Sequence, residues 1–383
     1  MVQITSGVLP KEIAVLGGGN SAFATASSLA LIGHRVRLLE APEFSDSIQT
    51  IRTDRCIELE APGLNGAQQG RAQLGTVTTD PAEAIDGADV ILFVVPAYGE
   101  EPFTRLCLPH ISTEQLVVFF CGNFGGALAF AHSLFKAGRD ALPLILETDG
   151  LYYGGFKSSV RAVRLSGLKA GLAAAALPAS RTQAGLERLN AIFPNYSFAK
   201  ARNVIETGLR NMNPMLHPAI SVLNAGRTDP EKPSFLYYRD GVTRAVGELV
   251  QAVDEERLRV GKALGLKLLS LHQTLLSWYG WQGASGESLH TLLTTNPAYQ
   301  TATSPAILEH RFITEDVPYG LVPLSELGKA TDTPTPVIDA LVTLAGGLLG
   351  RDLWLAGRRL ASLGFVDLQP AELIAYVEGA VPH

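Results

Sequence analysis

A doubly wound α/β domain followed by an all-helical domain is the architecture this sequence predicts. Three observations carry it. Continuous apolar runs alternate with helix-like segments through the first half of the chain. A glycine-rich turn joins the first apolar run to the first helical run. Beyond about residue 200 the strand signals stop and helical periodicity takes over.

"EIAVL" at 12–16 reads as a short buried strand, and the run from Asn20 to about Ile32 as the helix after it. "RVRLLE" at 35–40 is a second strand. "PAEAIDGADVILFVVPA" gives a short helix and then a buried strand at 89–95. "EQLVVFF" at 114–120 is another, followed by a helix from about Phe124 to Lys136, and "LPLILETDG" continues in the same style. Strands that are apolar throughout, with helices between them, imply a parallel sheet covered on both faces. Further on, "DGVTRAVGELVQAVDEERLRVGKALGL" places apolar residues at 242, 245, 246, 249, 250 and 253, one stripe of a helix. Residues 266–278, 335–349 and 351–362 read as further helices. The domains expected are therefore 1–203 and 204–383, with "NYSFAKARNVIE" as the crossing.

The chain has 383 residues, room for about two domains each with its own core. Hydrophobic residues make up 46% and the net charge is −6, and no basic stripe follows a nucleic-acid groove, so nucleic acid is excluded as a partner. The longest apolar stretches, "AGLAAAALPA" and "VIDALVTLAGGLLG", fall short of the roughly 20 residues that span a bilayer, so no membrane partner is expected. No basic segment precedes an apolar core at the N-terminus. The three cysteines, at 56, 107 and 121, fit neither a metal motif nor a disulfide framework. Cys121 reads as a buried thiol, and the compartment expected is the reducing cytoplasm.

"VLGGGNSAFA" is the strongest local signal. Gly17, Gly19 and Ala22 fit G-x-G-x-x-[GA] between strand and helix, the dinucleotide fingerprint of a Rossmann domain. The first glycine permits the tight turn, the second lets the backbone approach a pyrophosphate, and Ala22 lets helix and strand pack closely. From Asn20 the helix N-terminus presents N–H groups to the phosphates. Glu40 ends the second strand, near the roughly 20-residue offset expected of a ribose-binding acid. That carboxylate favours NAD over NADP, while Arg35 and Arg37 nearby keep the phosphorylated form open. Pro96, Ala97 and Tyr98 follow one buried strand, and Asn123 in "CGNFGGALAF" follows the next. These strand ends line a ligand crevice, so Pro96, Ala97 and Tyr98 are expected along the cofactor and Asn123 at its nicotinamide end, with plain turn chemistry the alternative for each.

"RNMNPMLHPAISVLNAGR" at 210–227 brackets His217 between Pro214 and Pro218. A histidine with a constrained backbone suits general acid–base chemistry near neutral pH. Its free nitrogen needs a carboxylate. The best source is "LEHRFITEDVPYGLVPLSELGK" at 308–329, where Arg311, Glu315 and Asp316 precede Pro318 and Gly320 in what reads as a loop. Both acids are candidates on spacing alone. Asn213 and Asn224 either hold the loop or touch a substrate, the holding role coming first. In "SWYGW", Trp278, Tyr279 and Trp281 read as helix packing before a side-chain pocket, and Tyr152 and Tyr153 as sheet-edge residues of open role.

At these residues the chain resembles the octopine/nopaline (opine) dehydrogenase family. The resemblance covers nearly the whole length. It includes the fingerprint at 17–22, "VPAYG" at 95–99, "GNFGG" at 122–126, "NxNPxxHP" at 211–218 and "RFITEDVPYGLVP" at 311–323. It implies a Rossmann domain joined to an all-helical domain with the active site between them. It also implies that the catalytic histidine is His217, its partner aspartate Asp316, and the arginine that binds a substrate carboxylate Arg311. Asn213 joins Arg311 on the substrate side. The activity implied is an NAD(P)H-dependent reductive condensation of an amino acid's amine with a 2-oxo acid such as pyruvate or 2-oxoglutarate. A homodimer is among the oligomeric states it leaves open. The sequence also admits another two-domain NAD(P)-dependent dehydrogenase, of 2-hydroxy acids or polyol phosphates. Against it, Lys200, Lys262 and Lys267 all read as surface charges and none as a braced catalytic lysine. A non-catalytic NADH sensor is the remaining reading, and it would not need His217, Arg311 and Asp316 together.

Overall fold

The computed structural model describes residues 9–365 and 369–379. These fall into two compact units. The first runs through Gly122 and resumes over Gly126–Val204; the second consists of Asn123–Gly125 and the residues from Ile205 onward.

The chain enters the first unit as β1 (Glu12–Leu16), α1 (Asn20–Leu31) and β2 (Arg35–Leu39). Next come β3 (Cys56–Glu60), β4 (Gly70–Gln73), β5 (Thr76–Thr78) and α2 (Pro81–Ile85). Then follow β6 (Val90–Phe93), α3 (Ala97–Cys107), β7 (Leu116–Phe119), α4 (Gly126–Lys136) and β8 (Leu144–Thr148). The unit closes with β9 (Tyr153–Ser159), β10 (Ala162–Leu168), β11 (Leu172–Leu177), α5 (Thr182–Ile192) and β12 (Phe198–Lys200). The continuous apolar runs are the central strands, β1, β6, β7 and β8, because only a strand covered on both faces buries every side chain.

The main sheet has eight strands in the order β12-β11-β8-β7-β6-β1-β2-β5. The expected parallel sheet is in fact mixed, since β11 runs antiparallel to β8. Its sequence, "LAAAAL", is the apolar stretch that carried no assignment above. It returns to the sheet from β10 without a crossover helix, and so arrives in the opposite direction.

A second sheet, β4-β3-β10-β9, had no counterpart in the sequence reading. Its strands interleave charged residues with apolar ones, as in "CIELE", which masks them from a search for apolar runs. Helix α1 packs on β1 and β2 of the large sheet and on β3, β4, β9 and β10 of the small one. That explains why Ala22 through Leu29 are all buried and why most of them are Ala, Ser or Thr, with Phe23 and Leu29 filling the core between the sheets. Tyr153, from β9, donates to Ser28 of α1 at 2.9 Å. Tyr152 and Tyr153 are therefore buried packing residues, with Tyr152 stacked on Tyr196 at 4.2 Å.

The second unit is helical. Its elements are α6 (Val204–Leu209), α7 (Asn213–Leu223), α8 (Arg244–Ala263), α9 (Leu271–Tyr279) and α10 (Leu289–Thr295). They continue as α11 (Arg311–Thr314), α12 (Val322–Ala330), α13 (Pro336–Leu349), α14 (Leu353–Ala356) and α15 (Pro370–Glu378). Helix α9 begins later than its apolar pattern suggested, because Ser270 and Gln273 form a capping box there. The single helix expected over 351–362 is broken after α14. Extended Gly357 sits where a Cβ would meet Val322 at 2.6 Å, and only a short turn at Leu360–Leu363 follows. No helix among the described residues is long and apolar enough to cross a membrane.

At the centre of this unit lies Arg257 of α8, whose side chain is wholly buried. Its Nε and Nη2 donate to Asp254 Oδ1 at 2.8 and 2.6 Å, and its remaining donors reach the carbonyls of Leu209 and Leu269. Removing one partner of such a pair strands the other in a medium that cannot solvate it. Asp254→Ala should lower the stability of the helical unit by about 3–5 kcal/mol, read as a shifted urea midpoint by circular dichroism. A loss below about 1 kcal/mol would show that the pair is not holding the unit together.

Candidate active site

His217 stands on α7, not in a loop. Pro214 lies in the first turn, where its missing N–H has no intrahelical partner to lose. The segment read as a charged loop is helical too. Arg311 opens α11, and a π-type turn at Val317–Leu321 leads into α12, with Leu321 N–H donating to Asp316 O at 3.1 Å. Prolines 318 and 323 fall at the starts of successive helical pieces, where they favour helix over loop.

Gly320 explains how the two motifs meet. A Cβ there would lie 2.2 Å from the Pro214 ring. With hydrogen in its place the π-type turn seats directly on α7. The approach delivers Asp316 Oδ2 to His217 Nδ1 at 2.7 Å, across 99 positions of chain. On the other side of the ring, Nε2 lies 2.9 Å from the Tyr238 hydroxyl. Phe312 stacks on the imidazole at 3.9 Å, and Tyr237 O–H donates to the His217 carbonyl at 3.0 Å. Tyr238 in turn stacks on Tyr299 at 4.1 Å.

Both members of the pair are buried, His217 at 5% exposure and Asp316 at 3%. Burial holds the imidazole well below its ordinary range. The positive charge of Arg311 pushes the same way, and Glu315 opposes it. Burial also raises the Asp316 carboxyl, against the pull of Arg311. Both shifts disfavour separated charges, so the pair titrates as a unit through one proton. With that proton present, Nε2–H donates to the Tyr238 oxygen. With it gone, Tyr238 O–H donates to Nε2. The contact survives both states and only its direction reverses.

The other expected substrate residues divide. Arg311 is exposed at the head of α11, close enough to act on the charges of His217, Asp316 and Tyr238. Asn213 is half-buried at the start of α7, its backbone N–H donating to Asn211 Oδ1 at 3.1 Å. Glu315, the competing acid, faces elsewhere: it accepts from Asn123 Nδ2 at 2.9 Å, and Asn123 Oδ1 accepts from Asn211 at 2.6 Å. Asn123, expected at the nicotinamide end of a cofactor, thus lies buried in the helical unit, its amide spanning Asn211 and Glu315. Asn224 holds the end of α7 by donating to Ile220 O and Gly241 O. Tyr279, first read as packing, lies against Tyr299 at 5.6 Å, one ring behind Tyr238, whereas Trp281 is exposed.

The nucleotide turn belongs to the first unit. Gly17 has φ of 109°, and a Cβ there would meet Val94 O at 2.8 Å, so the end of β6 lies against the turn and no other residue fits. Gly19 faces open space, with nothing within 4 Å of its Cβ position. No side chain caps α1, which leaves its first N–H groups for an anion. Ala22 is fully buried between helix and sheets. Pro96 caps α3 at the end of β6, with Ala97 buried behind it and Tyr98 exposed. Glu40 is buried beside the turn, where burial raises its carboxyl; the Ala41 N–H and the Ser47 hydroxyl bond it at 2.8 and 3.0 Å. These residues fit a dinucleotide: a cradle with no side chain, an uncapped helix N-terminus, and a buried acid beside the turn.

Arg35 and Arg37 do not approach that position. Both pair with Glu12, at 2.5 and 2.8 Å, at the opposite end of the strands. The cation beside Glu40 is Lys157, which the sequence reading missed. It arrives from β9 in the small sheet, donates to Gly18 O at 2.7 Å and Ser47 O at 3.2 Å, and covers the Phe23 ring at 3.5 Å. Its backbone N–H donates to Asn20 Oδ1 at 3.0 Å, so Asn20 ties the turn to the small sheet. Tyr238, Phe312 and Tyr299 were missed as well. "FLYYRD" has no periodicity that singles out either tyrosine. Cys121 is half-buried where a buried thiol was expected, while Cys107 is buried and its thiol pushed up to about 12.

Comparison with known proteins follows the same division. A family model described as NAD/NADP octopine/nopaline dehydrogenase, alpha-helical domain, matches residues 200–349. A second, described as the NAD-dependent glycerol-3-phosphate dehydrogenase N-terminus, matches residues 12–122. The chain is 36% identical to an opine dehydrogenase from Arthrobacter sp. (strain 1C) over 369 residues, covering 96% of this chain and 99% of the relative. It is 26% identical to a vitopine synthase from Allorhizobium ampelinum, with the same coverage of each. Among solved structures, octopine dehydrogenase with NADH and L-arginine superposes with a TM-score of 0.74 at 23% identity, covering 97% of this chain and 98% of the other. Yersinopine dehydrogenase with NADP+ bound gives 0.71 at 16% identity, with the same coverage, and both show the shared fold.

The open face of Gly19 gives a direct test of the nucleotide turn. Gly19→Val adds atoms where the protein has none and needs no unusual backbone angle. It should fold as stably as the parent yet weaken NADH binding at least about tenfold by fluorescence titration, since it fills the space a pyrophosphate needs. Undiminished binding would move the dinucleotide away from this turn.

Proposed function

Because the chain belongs to the octopine/nopaline (opine) dehydrogenase family, we propose that His217, Asp316 and Arg311 of its helical unit carry the acid–base and substrate-binding chemistry of that family's reaction. The chain is an NAD(P)-dependent oxidoreductase acting on a CH–NH bond, and the reaction is the reductive condensation of an amino acid's amine with a 2-oxo acid. The observation that carries the residue assignment is the buried 2.7 Å bond between His217 and Asp316 with Arg311 beside it.

The chemistry sets what these residues must do. An amino acid arrives as an ammonium and must lose a proton before it can attack a ketone. The carbinolamine that forms must gain a proton on its hydroxyl before water can leave. One group that accepts and then returns the same proton serves both steps, and the buried pair holds one such proton. Asp316 fixes the ring's orientation and supports its protonated form. Both substrates carry a carboxylate, which the Arg311 guanidinium binds with two parallel N–H donors. Asn213 sits at the start of the helix that carries His217 and contributes a polar contact to the same substrate.

Gly17, Gly19, Asn20, Ala22, Glu40 and Pro96 hold the dinucleotide, which supplies the hydride when bound. The buried Glu40 favours the free ribose of NADH over a 2′-phosphate, with Lys157 softening the discrimination. The Asn123 amide orders Glu315, which keeps that acid away from the imidazole. Three cysteines whose spacing fits no disulfide framework support a cytoplasmic location.

The decisive measurement is NADH oxidation across a panel of amino acids with pyruvate or 2-oxoglutarate, followed by product mass. Oxidation should require both substrates; oxidation with the oxo acid alone would identify a hydroxy-acid dehydrogenase instead. In the active pairing, His217→Ala should reduce kcat by about two to four orders of magnitude and leave the NADH dissociation constant unchanged. Asp316→Asn removes the anion that favours the protonated ring. The imidazole pKa then falls further, and the limb of the kcat profile that requires the acid form should move to lower pH. A profile unmoved by Asp316→Asn would remove Asp316 from the proton path.

A further inference from the structure

We propose that the Tyr238 hydroxyl, with His217 and Asp316 behind it, is the group that exchanges protons with the substrate. This rests on the functional reading above and changes which atom does the chemistry. Neither ring nitrogen of His217 is open. Nδ1 is engaged by Asp316 at 2.7 Å and Nε2 by Tyr238 at 2.9 Å.

Neither ring can readily turn aside. The imidazole is stacked on Phe312 at 3.9 Å with the planes 25° apart. The Tyr238 ring lies on Tyr299 at 4.1 Å and 16°, with Tyr237 edge-on at 5.1 Å. Tyr299 is itself backed by Tyr279 at 5.6 Å. A proton travelling between Nε2 and anything beyond the ring therefore meets the phenolic oxygen first, which keeps a lone pair for a second partner in either direction of its bond to Nε2.

The steps balance. In the first, a substrate N–H bond breaks and its proton joins the Tyr238 oxygen, while the hydroxyl's own proton moves to Nε2. The free amine then adds to the ketone. In the second, Nε2–H returns its proton to the phenolic oxygen and the hydroxyl's proton goes to the carbinolamine oxygen. The C–O bond breaks, water leaves, and an iminium remains with the relay back in its starting state. Burial raises the Tyr238 hydroxyl above its ordinary range, with Tyr279 and Asp316 adding to the effect and Arg311 opposing it. The phenol is thus neutral at rest, and the two transfers in each step are coupled. This device has the form of a wire with one mobile proton, and it lets the charged dyad remain dry.

The test is Tyr238→Phe, which keeps the ring and its stacking and deletes the oxygen. Its kcat should fall as far as that of His217→Ala, by about two to four orders of magnitude, with NADH affinity and melting temperature unchanged. The double variant should be no slower than either single one, because the two groups act in series. If Tyr238→Phe keeps kcat within about tenfold of the parent, or if the double variant multiplies the two losses, the imidazole works directly and the relay is wrong. A parent enzyme silent with every amine and oxo-acid pair would overturn the functional reading itself, a different outcome from an active parent with an active Tyr238→Phe. Should that variant fail to fold, a ring-fluorinated tyrosine at 238 keeps the shape and makes the phenol more acidic. The limb of kcat that requires the neutral phenol should then move to lower pH, and a limb that stays in place overturns the relay.

Discussion

The helical unit is organised around one close approach, that of Gly320 to Pro214. A methyl group at 320 would lie 2.2 Å from the proline ring, so any side chain there would push the π-type turn off α7. With it would go Asp316, whose carboxylate reaches His217 from a turn whose Gly320 backbone sits against the Pro214 ring. The tolerance is small: an N–H···O bond weakens steeply once the atoms separate much beyond about 3.2 Å. The geometry is locked from the same side by Phe312, one turn upstream, which stacks on the imidazole. Proline, glycine, aromatic ring and acid therefore form one packing solution.

The two sites are built by different means. The nucleotide turn depends on the absence of side chains. Gly17 needs its positive φ, and Gly18 has Ser47 Oγ 2.3 Å from where a Cβ would stand, while Gly19 leaves space open. What steadies so bare a backbone is the small sheet. It grips the turn through Lys157 and Asn20 and clamps α1 from the side away from the main sheet. The acid–base site depends on the presence of side chains and on dryness. Its carboxylate and imidazole are removed from water, a placement that adds little net stability. On the proposed function, the proton between them would answer to chemistry nearby and not to bulk solvent.

How much of this was legible in the sequence follows from what each feature depends on. The strands β1, β6, β7 and β8 and helix α1 were readable because burial on both faces writes an unbroken apolar run. The fingerprint at Gly17, Gly19 and Ala22 was readable because its spacing between strand and helix is a fixed sequence pattern, with the positive φ of Gly17 demanding glycine there. His217, Asp316 and Arg311 were marked by their motifs, though not as helical residues: Pro214, Pro218 and Pro318 look like loop punctuation until their places within helical turns are known. The small sheet was hidden by its half-charged strands. Lys157 and Tyr238 were hidden for a deeper reason. Each acts through a contact set by packing, Lys157 across 139 positions of chain, and neither residue type nor spacing announces it.

Dryness also accounts for why two acids stand side by side at 315 and 316. An isolated carboxylate buried near an imidazole would compete for it, and a second negative charge would favour a permanently protonated ring. Here the neighbouring Glu315 is bonded to the Asn123 amide, which is held in turn by Asn211. That amide pair fixes the acid at a distance where it tempers Arg311's effect on the ring without taking the ring's proton. Burial and Arg311 thus disfavour the charged form of the His217 ring while Glu315, held by Asn123, opposes them. On the roles proposed for these residues, the site both deprotonates an ammonium and protonates a hydroxyl, and opposing charges fixed around a dry pair would set the balance those two steps need.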